Sequence, residues 1–232
     1  MIQLVFIHGW GFDARFWDPL STLLPQFPQE RIDLGFFEKN CLSLEGSNPK
    51  GFDARRDWST SRSEFGEGSI LIGHSLGFVH GLKQRQDWRG WIAINSFARF
   101  VQTPSQSGCV PAASLREMRM RFQNNPAAAL QNFYQMIEAV PPAGTPNAQR
   151  LREGLDELSD SDVVDRLQKL DVPGLALAGR KDPLVPVPIS ETLGRMAKDG
   201  LMMHDKAGHL LAQSHPGWCA EAIAGFIAKN FG

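Results

Sequence analysis

The chain has 232 residues and a formal net charge of −1, with 24 Lys and Arg against 25 Asp and Glu. Hydrophobic residues make up 42 % and charged residues 21 % of the sequence, which excludes an intrinsically disordered chain and fits one large folded domain or two small ones. A near-neutral charge without a basic run argues against nucleic acid and anionic membranes as partners.

The cysteines and the N-terminus indicate the compartment. Cys41, Cys109 and Cys219 are odd in number and widely spaced, so the sequence shows neither a disulfide framework nor a pair of metal ligands. Residues 2–7 follow Met1 without the basic segment of an export signal, and no stretch approaches the roughly 20 apolar residues of a membrane helix. We therefore expect a soluble, cytoplasmic protein.

Apolar runs of strand length alternate with helical patterns through most of the chain. The predicted helices outside the middle of the chain cover residues 14–24, 75–86 and 217–231. The predicted strands cover residues 4–7, 31–34, 69–72, 91–95, 175–178 and 201–204. Because strands alternate with helices, we predict an α/β protein with a mostly parallel sheet, right-handed crossovers and helices on its faces.

The pattern changes in the middle of the chain. Between residues 111 and 170 strands disappear, and apolar residues such as Leu115, Phe122 and Phe133 recur at helical spacing. This spacing predicts a helical cap. The predicted division is a cap over 111–170, inserted after the strand at 91–95, and a core formed by 1–110 and 171–232.

The strongest motif is Gly-x-Ser-x-Gly, which stands between a predicted strand and a predicted helix as Gly73-His74-Ser75-Leu76-Gly77. A serine at such a turn is held in a strained backbone conformation with its hydroxyl above the sheet, and side chains in place of the glycines would clash with the neighbouring strand and helix. The N–H of Leu76 lies at a helix N-terminus and points toward a developing oxyanion. We therefore predict Ser75 as a nucleophile and Leu76 as an oxyanion donor.

The predicted catalytic partners of Ser75 are Asp182 and His209. A serine hydroxyl becomes a nucleophile when a base removes its proton and a carboxylate orients that base. In this architecture the chain order is serine, acid, histidine. Asp182 follows the strand at 175–178 and His209 follows the strand at 201–204, so both lie past carboxyl ends of strands, where catalytic loops gather.

Other histidines and acids compete for these two roles. Four histidines are interpreted as structural: His74 packs beside the serine, His80 lies inside a helix, His8 hydrogen-bonds within its own loop, and His215 opens the last helix. The two aspartates nearest His209, Asp199 and Asp205, belong to a turn and to a strand end.

The first strand ends in His8-Gly9-Trp10-Gly11. Its glycines let the backbone approach a substrate oxygen, and the N–H of Trp10 is the expected second oxyanion donor. On their own these residues fit an ordinary glycine-bounded turn with an exposed tryptophan, but the serine motif favours the functional interpretation. We also expect the Trp10 ring to form an aromatic wall against the acyl group.

Together these motifs resemble those of the α/β-hydrolase superfamily over essentially the whole chain. The resemblance is carried by Phe-Ile-His-Gly-Trp-Gly at 6–11, the serine motif at 73–77, Gly-Arg-Lys-Asp at 179–182 and Gly-His at 208–209. Within the superfamily, the chain is similar to the biotin-pathway esterases that cleave the methyl ester of pimeloyl-acyl carrier protein. That similarity is carried by residues 12–17, 32–36, 96–100, 115–133 and 215–216.

The resemblance implies a serine carboxylesterase in which Trp10 and Phe133 bind the substrate. Because the predicted catalytic groups all belong to the protein, we expect no metal and no organic cofactor. Because no long apolar surface stripe requires a partner, we expect a monomer. By the same resemblance, arginines of the cap would contact an acidic carrier protein, although ordinary solvated charges on amphipathic helices explain them equally well. These arginines are Arg116, Arg119, Arg121, Arg150 and Arg152.

Two departures from those esterases leave the substrate open. His74 precedes the serine and Phe78 follows Gly77, where the esterases usually have other residues, and the polar residues 38–68 replace a compact loop. A thioesterase, a lactonase or a carbon–carbon bond hydrolase with the same three catalytic residues is the alternative within the class. A non-catalytic protein of the same fold that binds a small ligand is the alternative from another class.

Overall fold

The computed structural model describes residues 2–38, 68–104 and 108–232. Within them the strands are β1 (Leu4–Ile7), β2 (Gln29–Ile32), β3 (Phe37–Glu38), β4 (Ile70–His74), β5 (Gly90–Ile94), β6 (Val101–Gln102), β7 (Val110–Pro111), β8 (Thr145–Pro146), β9 (Gly174–Gly179) and β10 (Leu201–His204). The α-helices are α1 (Asp18–Ser21), α2 (Leu76–Gln84), α3 (Ala112–Asn124), α4 (Pro126–Met136), α5 (Ala148–Ser159), α6 (Val164–Lys169), α7 (Val187–Met196), α8 (Leu211–Ser214) and α9 (Pro216–Phe231).

Six strands form one parallel sheet in the order β10-β9-β5-β4-β1-β2. Every residue of β1, β4, β5 and β9 is buried, which accounts for their continuous apolar runs, since helices cover both faces of a parallel sheet. β1 lies between β2 and β4 in the sheet. The chain passes from β1 to β2 on one side of β1 and returns to form β4 on its other side. The carboxyl ends of β1 and β4 therefore flank the switch point where open α/β sheets bind their ligands.

The predicted fold class is confirmed, with differences at the ends of elements. β2 begins at Gln29 rather than at residue 31, because Gln29 pairs with Leu4 on an edge of the sheet where polar side chains reach solvent. The helix predicted over 14–24 is instead a 3-10 turn (Ala14–Trp17) followed by α1. Pro19 explains the break, because proline lacks the N–H that a continuous helix would need there.

The cap region is helical, as its apolar spacing predicts. Residues 111–170 form α3, α4, α5 and α6, and α3 packs against both α4 and α5. Leu115, Phe122 and Phe133 are buried in the same hydrophobic cluster as the strands of the sheet. The short strand β8 pairs antiparallel with β3, which the sequence did not predict. The division into a cap and a core stays a prediction.

In the described ranges, no helix combines the length and the apolar character needed to cross a membrane. Cys41 and nearly all of the loop predicted over 38–68 lie outside these ranges.

Candidate active site

Ser75 lies in a tight turn between β4 and α2, with a φ of 51° and a ψ of −124°. A non-glycine residue with a positive φ is strained, and the surrounding contacts have to hold it there. A Cβ on Gly73 would lie 2.3 Å from Phe78 Cα, and one on Gly77 would lie 2.2 Å from Ile7 O. Both glycines are therefore required for close packing of the turn against the neighbouring backbone.

The backbone of Ser75 is fixed from the side of β5. Its N–H donates to Ile94 O (3.1 Å), and the Ser96 hydroxyl donates to Ser75 O (2.7 Å). Ser75 remains 9 % exposed, whereas Ser96 is 3 % exposed and has a structural hydrogen bond. The turn therefore holds one serine hydroxyl at the carboxyl edge of the sheet.

Asp182 and His209 meet after β9 and β10. Asp182 Oδ2 accepts a hydrogen bond from His209 Nδ1 (2.8 Å), and the two side chains are only 1 % and 2 % exposed. Asp182 Oδ1 accepts from the backbone N–H groups of Leu184 (2.8 Å) and Val185 (3.0 Å). Because Nδ1 donates to the carboxylate, Nε2 of the imidazole is left as the basic nitrogen.

Asn95 is a contributor to this site that the sequence analysis missed. It follows β5, has a φ of 47° and is fully buried. Its Nδ2 donates both to Asp182 Oδ2 (2.8 Å) and to Gly208 O (3.1 Å), so one amide joins the loop of the acid to the loop of the histidine. Its position just past a central strand, in a residue type that tolerates a positive φ, could have identified it.

The surroundings of Asp182 keep its carboxyl ionised. Burial acts to raise its pKa, but the charge of His209 and the hydrogen bonds from His209, Val185 and Leu184 outweigh that effect, so the pKa lies below its usual value. An ionised carboxylate at this place fixes the imidazole tautomer and favours the protonated ring that forms when His209 takes up a proton.

His74 lies beside this pair but is not placed to act as the base. It is fully buried, stacks on Phe16 at a ring separation of 4.3 Å, and donates from Nε2 to His209 O (3.0 Å). Burial, and then the neighbouring charge of His209, lower its pKa well below the usual value, so the ring stays neutral. Its placement fits the packing role predicted for it, and its hydrogen bond helps to hold His209.

The other histidines have partners of their own. His8 Nε2 accepts from the Leu34 N–H (2.9 Å), which leaves its Nδ1 to donate to Gly9 O (2.9 Å). His80 in α2 lies 3.0 Å from Glu157 of α5, and His215 precedes α9 with its ring 3.9 Å from the tilted ring of His204. The competing aspartates form ion pairs, Asp205 with Arg180 (2.9 Å) and Asp199 with Lys229 (2.7 Å).

The loop after β1, residues 8–12, lies against the serine turn, and we call it the oxyanion loop. A Cβ on Gly9 would lie 2.8 Å from His74 Nδ1 and 3.0 Å from Ser75 Cβ. The backbone at residue 9 therefore lies so close to Ser75 that only glycine fits there. Within the described residues, the N–H groups of Trp10 and Leu76 have no hydrogen-bond acceptor. Two backbone donors near the serine are thus available to a ligand oxygen.

The Trp10 indole points into the cap, where it contacts Phe133. Its Nε1 donates to Leu151 O of α5 (2.7 Å), and its ring meets Phe133 edge-on at 4.8 Å and Phe122 at 6.0 Å. Trp10 is 3 % and Phe133 is 6 % exposed. Both residues predicted to bind substrate therefore lie together at the boundary between the oxyanion loop and the cap.

The five arginines predicted to contact a carrier protein differ in their pairing. Arg119 pairs with Asp156, Arg121 with Glu117 (2.6 Å), and Arg150 with Glu153 and with Leu34 O (3.1 Å). Arg116 of α3 and Arg152 of α5 are exposed and form no ion pair within the described ranges. These two are the cationic side chains of the set that are available to a partner.

The described residues include no group of three or more His, Cys, Asp or Glu side chains placed to hold a metal ion. Cys219 is buried, which raises the pKa of its thiol to about 12, and burial together with the charge of Asp182 raises the pKa of Cys109. Both thiols are therefore protonated near neutral pH.

Comparisons with known proteins agree with the fold and the motifs. The model of the alpha/beta hydrolase family matches residues 4–222. The chain is 29 % identical over 258 residues to a pimeloyl-[acyl-carrier protein] methyl ester esterase of Methylococcus capsulatus, covering 98 % of this chain and 95 % of that protein. It is 28 % identical to a protein of the same name from Neisseria meningitidis, covering 96 % and 90 %.

Solved structures show the same architecture at low sequence identity. An esterase from Exiguobacterium antarcticum superposes with a TM-score of 0.77 at 16 % identity, covering 98 % of this chain and 92 % of that one. MenH from S. aureus superposes with a TM-score of 0.71 at 14 % identity, covering 99 % and 94 %. With the family model matching most of its length, this chain belongs to the α/β-hydrolase family.

Proposed function

We propose that the chain is a serine carboxylesterase that hydrolyses the methyl ester of pimeloyl-acyl carrier protein, with Ser75, His209 and Asp182 as its catalytic residues. The observation that carries the proposal is the buried Asp182–His209 hydrogen bond, together with Ser75 held at a φ of 51° next to His74, which bonds to His209 O. The assignment to the carboxylic ester hydrolases is confirmed by the names of the relatives, and those names also favour the methyl ester of a carrier-bound acyl chain as substrate.

In the first step, His209 takes the proton of the Ser75 hydroxyl as its oxygen attacks the ester carbonyl. The hydrogen bond to Asp182 keeps Nε2 of the ring unprotonated before attack, and the ionised carboxylate then stabilises the imidazolium. The carbonyl oxygen becomes an oxyanion that accepts from the N–H groups of Trp10 and Leu76. Each donor of this kind typically lowers the barrier by about 3 kcal/mol.

In the second step the tetrahedral intermediate collapses and methanol leaves with the proton from His209. Water then enters, gives its proton to His209 and attacks the acyl group on Ser75, and the same donors hold the second oxyanion. Pimeloyl-acyl carrier protein leaves with a free carboxyl group, and the Ser75 hydroxyl regains its proton from His209. In this mechanism every group that moves a proton or holds the oxyanion belongs to the protein.

Ion pairs already formed by three of the five cap arginines leave two arginines as the proposed contacts with the carrier protein. Arg119, Arg121 and Arg150 already have acidic partners, so Arg116 and Arg152 are the side chains from which an acidic helix would gain new ion pairs. Such contacts at an exposed rim speed association more than they strengthen the bound state. The cytoplasmic location and the monomeric state stay predictions.

Steady-state hydrolysis tests the proposal. Wild type and Ser75→Ala are compared on p-nitrophenyl esters of increasing acyl length and on methyl-pimeloyl carrier protein. We expect turnover of both classes by wild type and a loss of about 10⁴-fold or more in the variant. A fluorophosphonate probe should label Ser75 in the wild type.

Two outcomes would redirect the assignment. Turnover of a thioester or a lactone in preference to the methyl ester would favour the alternatives within the class. Absence of ester turnover together with absence of probe labelling would favour a protein that binds a small ligand without converting it.

A further inference from the structure

We infer that Tyr134 of α4 is a positioning residue for the oxyanion loop: by holding the Gly11 carbonyl, the cap keeps in place the residue that follows Trp10, whose N–H is directed by His8. The inference rests on the proposed function, because it assigns the Trp10 N–H to oxyanion binding. Three hydrogen bonds carry it, one from the core and two from the cap.

The core contributes the first hydrogen bond through His8. The Trp10 N–H and the Gly9 carbonyl belong to one planar peptide unit, so fixing the carbonyl fixes the direction of the N–H. His8 Nδ1 donates to Gly9 O (2.9 Å), and His8 is itself held by the N–H of Leu34 (2.9 Å). This bond alone leaves the following two peptides of the loop free to rotate.

The cap contributes the second hydrogen bond through Tyr134. Its hydroxyl donates to Gly11 O (2.5 Å) from a side chain that is 4 % exposed. Burial, and then the charge of Asp13, raise the pKa of Tyr134, so its hydroxyl stays a donor at every pH at which the enzyme would work. Gly11 has a φ of 76°, and a Cβ there would lie 3.1 Å from Phe133 Cε1, so the cap contacts the loop backbone at this point.

The cap also contributes the third hydrogen bond, from the Trp10 indole to Leu151 O (2.7 Å). The close approach depends on Gly154, one helical turn further along α5, where a Cβ would lie 2.7 Å from Trp10 Cδ1. Trp10 is thus held by its side chain to α5, and the next residue is held by its carbonyl to α4. A donor gains catalytic strength from such preorganisation, because it does not have to reorient as charge develops.

The test compares Tyr134→Phe with Ser161→Ala. Each removes one buried hydroxyl that donates to a backbone carbonyl; Ser161 Oγ donates to Glu157 O (2.8 Å), away from the oxyanion loop. Amide hydrogen exchange of residues 9–12 and kcat and KM on p-nitrophenyl butyrate are measured for both variants and for wild type. Far-UV circular dichroism and the thermal midpoint show that each variant is folded.

For Tyr134→Phe we expect faster exchange of the amides in residues 9–12 and a kcat lower by roughly tenfold, with KM changed by less than about twofold. Ser161→Ala should match wild type in both measurements. Loop exchange and kcat that stay within twofold of wild type in Tyr134→Phe would overturn the inference.

The exchange measurement separates this inference from the proposed function. If the wild type turns over no ester but Tyr134→Phe still exchanges the loop amides faster, Tyr134 holds the loop and the proposed esterase function is refuted. If the wild type shows Ser75-dependent turnover but loop exchange is unchanged in Tyr134→Phe, the proposed function is supported and the positioning role of Tyr134 is refuted.

Discussion

Two glycine-containing turns follow neighbouring strands at the switch point of the sheet, and different parts of the chain hold them. The serine turn after β4 is fixed by groups of the core: Ile94 O, the Ser96 hydroxyl and the close packing of Gly77 on Ile7. The oxyanion loop after β1 is fixed in part by the cap, through Tyr134 and Leu151. The nucleophile should therefore be insensitive to changes in the cap, whereas stabilisation of the oxyanion should depend on them.

The largest effect is expected on the core side, from Asp182→Asn. The uncharged amide neither fixes the imidazole tautomer nor stabilises an imidazolium as the carboxylate does, so kcat should fall by about 10⁴-fold. Because the defect lies in the core, kcat should fall by the same factor on a free methyl ester and on the carrier-bound ester. Steady-state rates on both substrates measure this. A loss confined to the carrier-bound ester would contradict the assignment of Asp182 as the acid.

A smaller effect of the same origin is expected from Asn95→Ala. Removing the Nδ2 donor from Asp182 Oδ2 takes away a hydrogen bond to a charge, generally worth about 1.5–3 kcal/mol, so kcat/KM should fall by about 10- to 100-fold. The pKa of Asp182 should rise toward its ordinary value. The stability contributed by this carboxylate is present above the unfolded-state pKa and is lost as pH falls through the folded-state pKa, so acid unfolding should begin at a higher pH.

Urea unfolding between pH 3 and pH 7 measures that shift, and Asn230→Ala is the matched control. Asn230 Nδ2 also donates to a carboxylate, Asp199 Oδ2 (3.2 Å), but at the far end of α9. Equal changes in the two variants would mean that Asn95 has no particular role toward Asp182.

Because of the lowered pKa of His74, the free energy of unfolding should depend on pH. The pKa of His74 is lowered in the folded state, so the unfolded chain binds a proton first as pH falls below about 6.5. Stability should therefore decrease on acidification below that pH, by up to about 1.4 kcal/mol per pH unit for one proton. In His74→Gln this part of the slope should vanish in urea titrations between pH 5 and pH 7.5. A slope that stays the same in His74→Gln would contradict the prediction.

The smallest effects are expected on the outer face of the cap. Arg116→Glu and Arg152→Glu should each raise KM for carrier-bound ester severalfold, since an exposed ion pair contributes about 1 kcal/mol or less, and neither should change rates on p-nitrophenyl butyrate. Arg195→Glu, an exposed arginine of α7, is the control. Equal changes on both substrates would place these arginines in the catalytic machinery rather than in docking.

Local sequence determined what could be predicted. Ser75 and the glycines around it were identifiable because the turn needs those residue types at fixed spacing. The contacts of Asn95 and Tyr134 were not, because their partners lie 87 and 123 residues away along the chain and depend on how the sheet and the cap pack, although the position of Asn95 just past a central strand marks it as a candidate. Trp10 was identified, but the partner of its indole was not, since nothing in the sequence indicates that Leu151 O faces it.

The hydrogen bonds from Tyr134 and to Leu151 have a consequence for how this enzyme could diversify. In a hydrolase whose cap only covers the site, caps could be exchanged to change the substrate while the reaction rate is kept. Here an exchanged cap would also have to supply a hydroxyl for Gly11 and a carbonyl for Trp10. Grafting a foreign cap onto this core should therefore give a protein that binds a new ester and turns it over slowly until those two groups are restored.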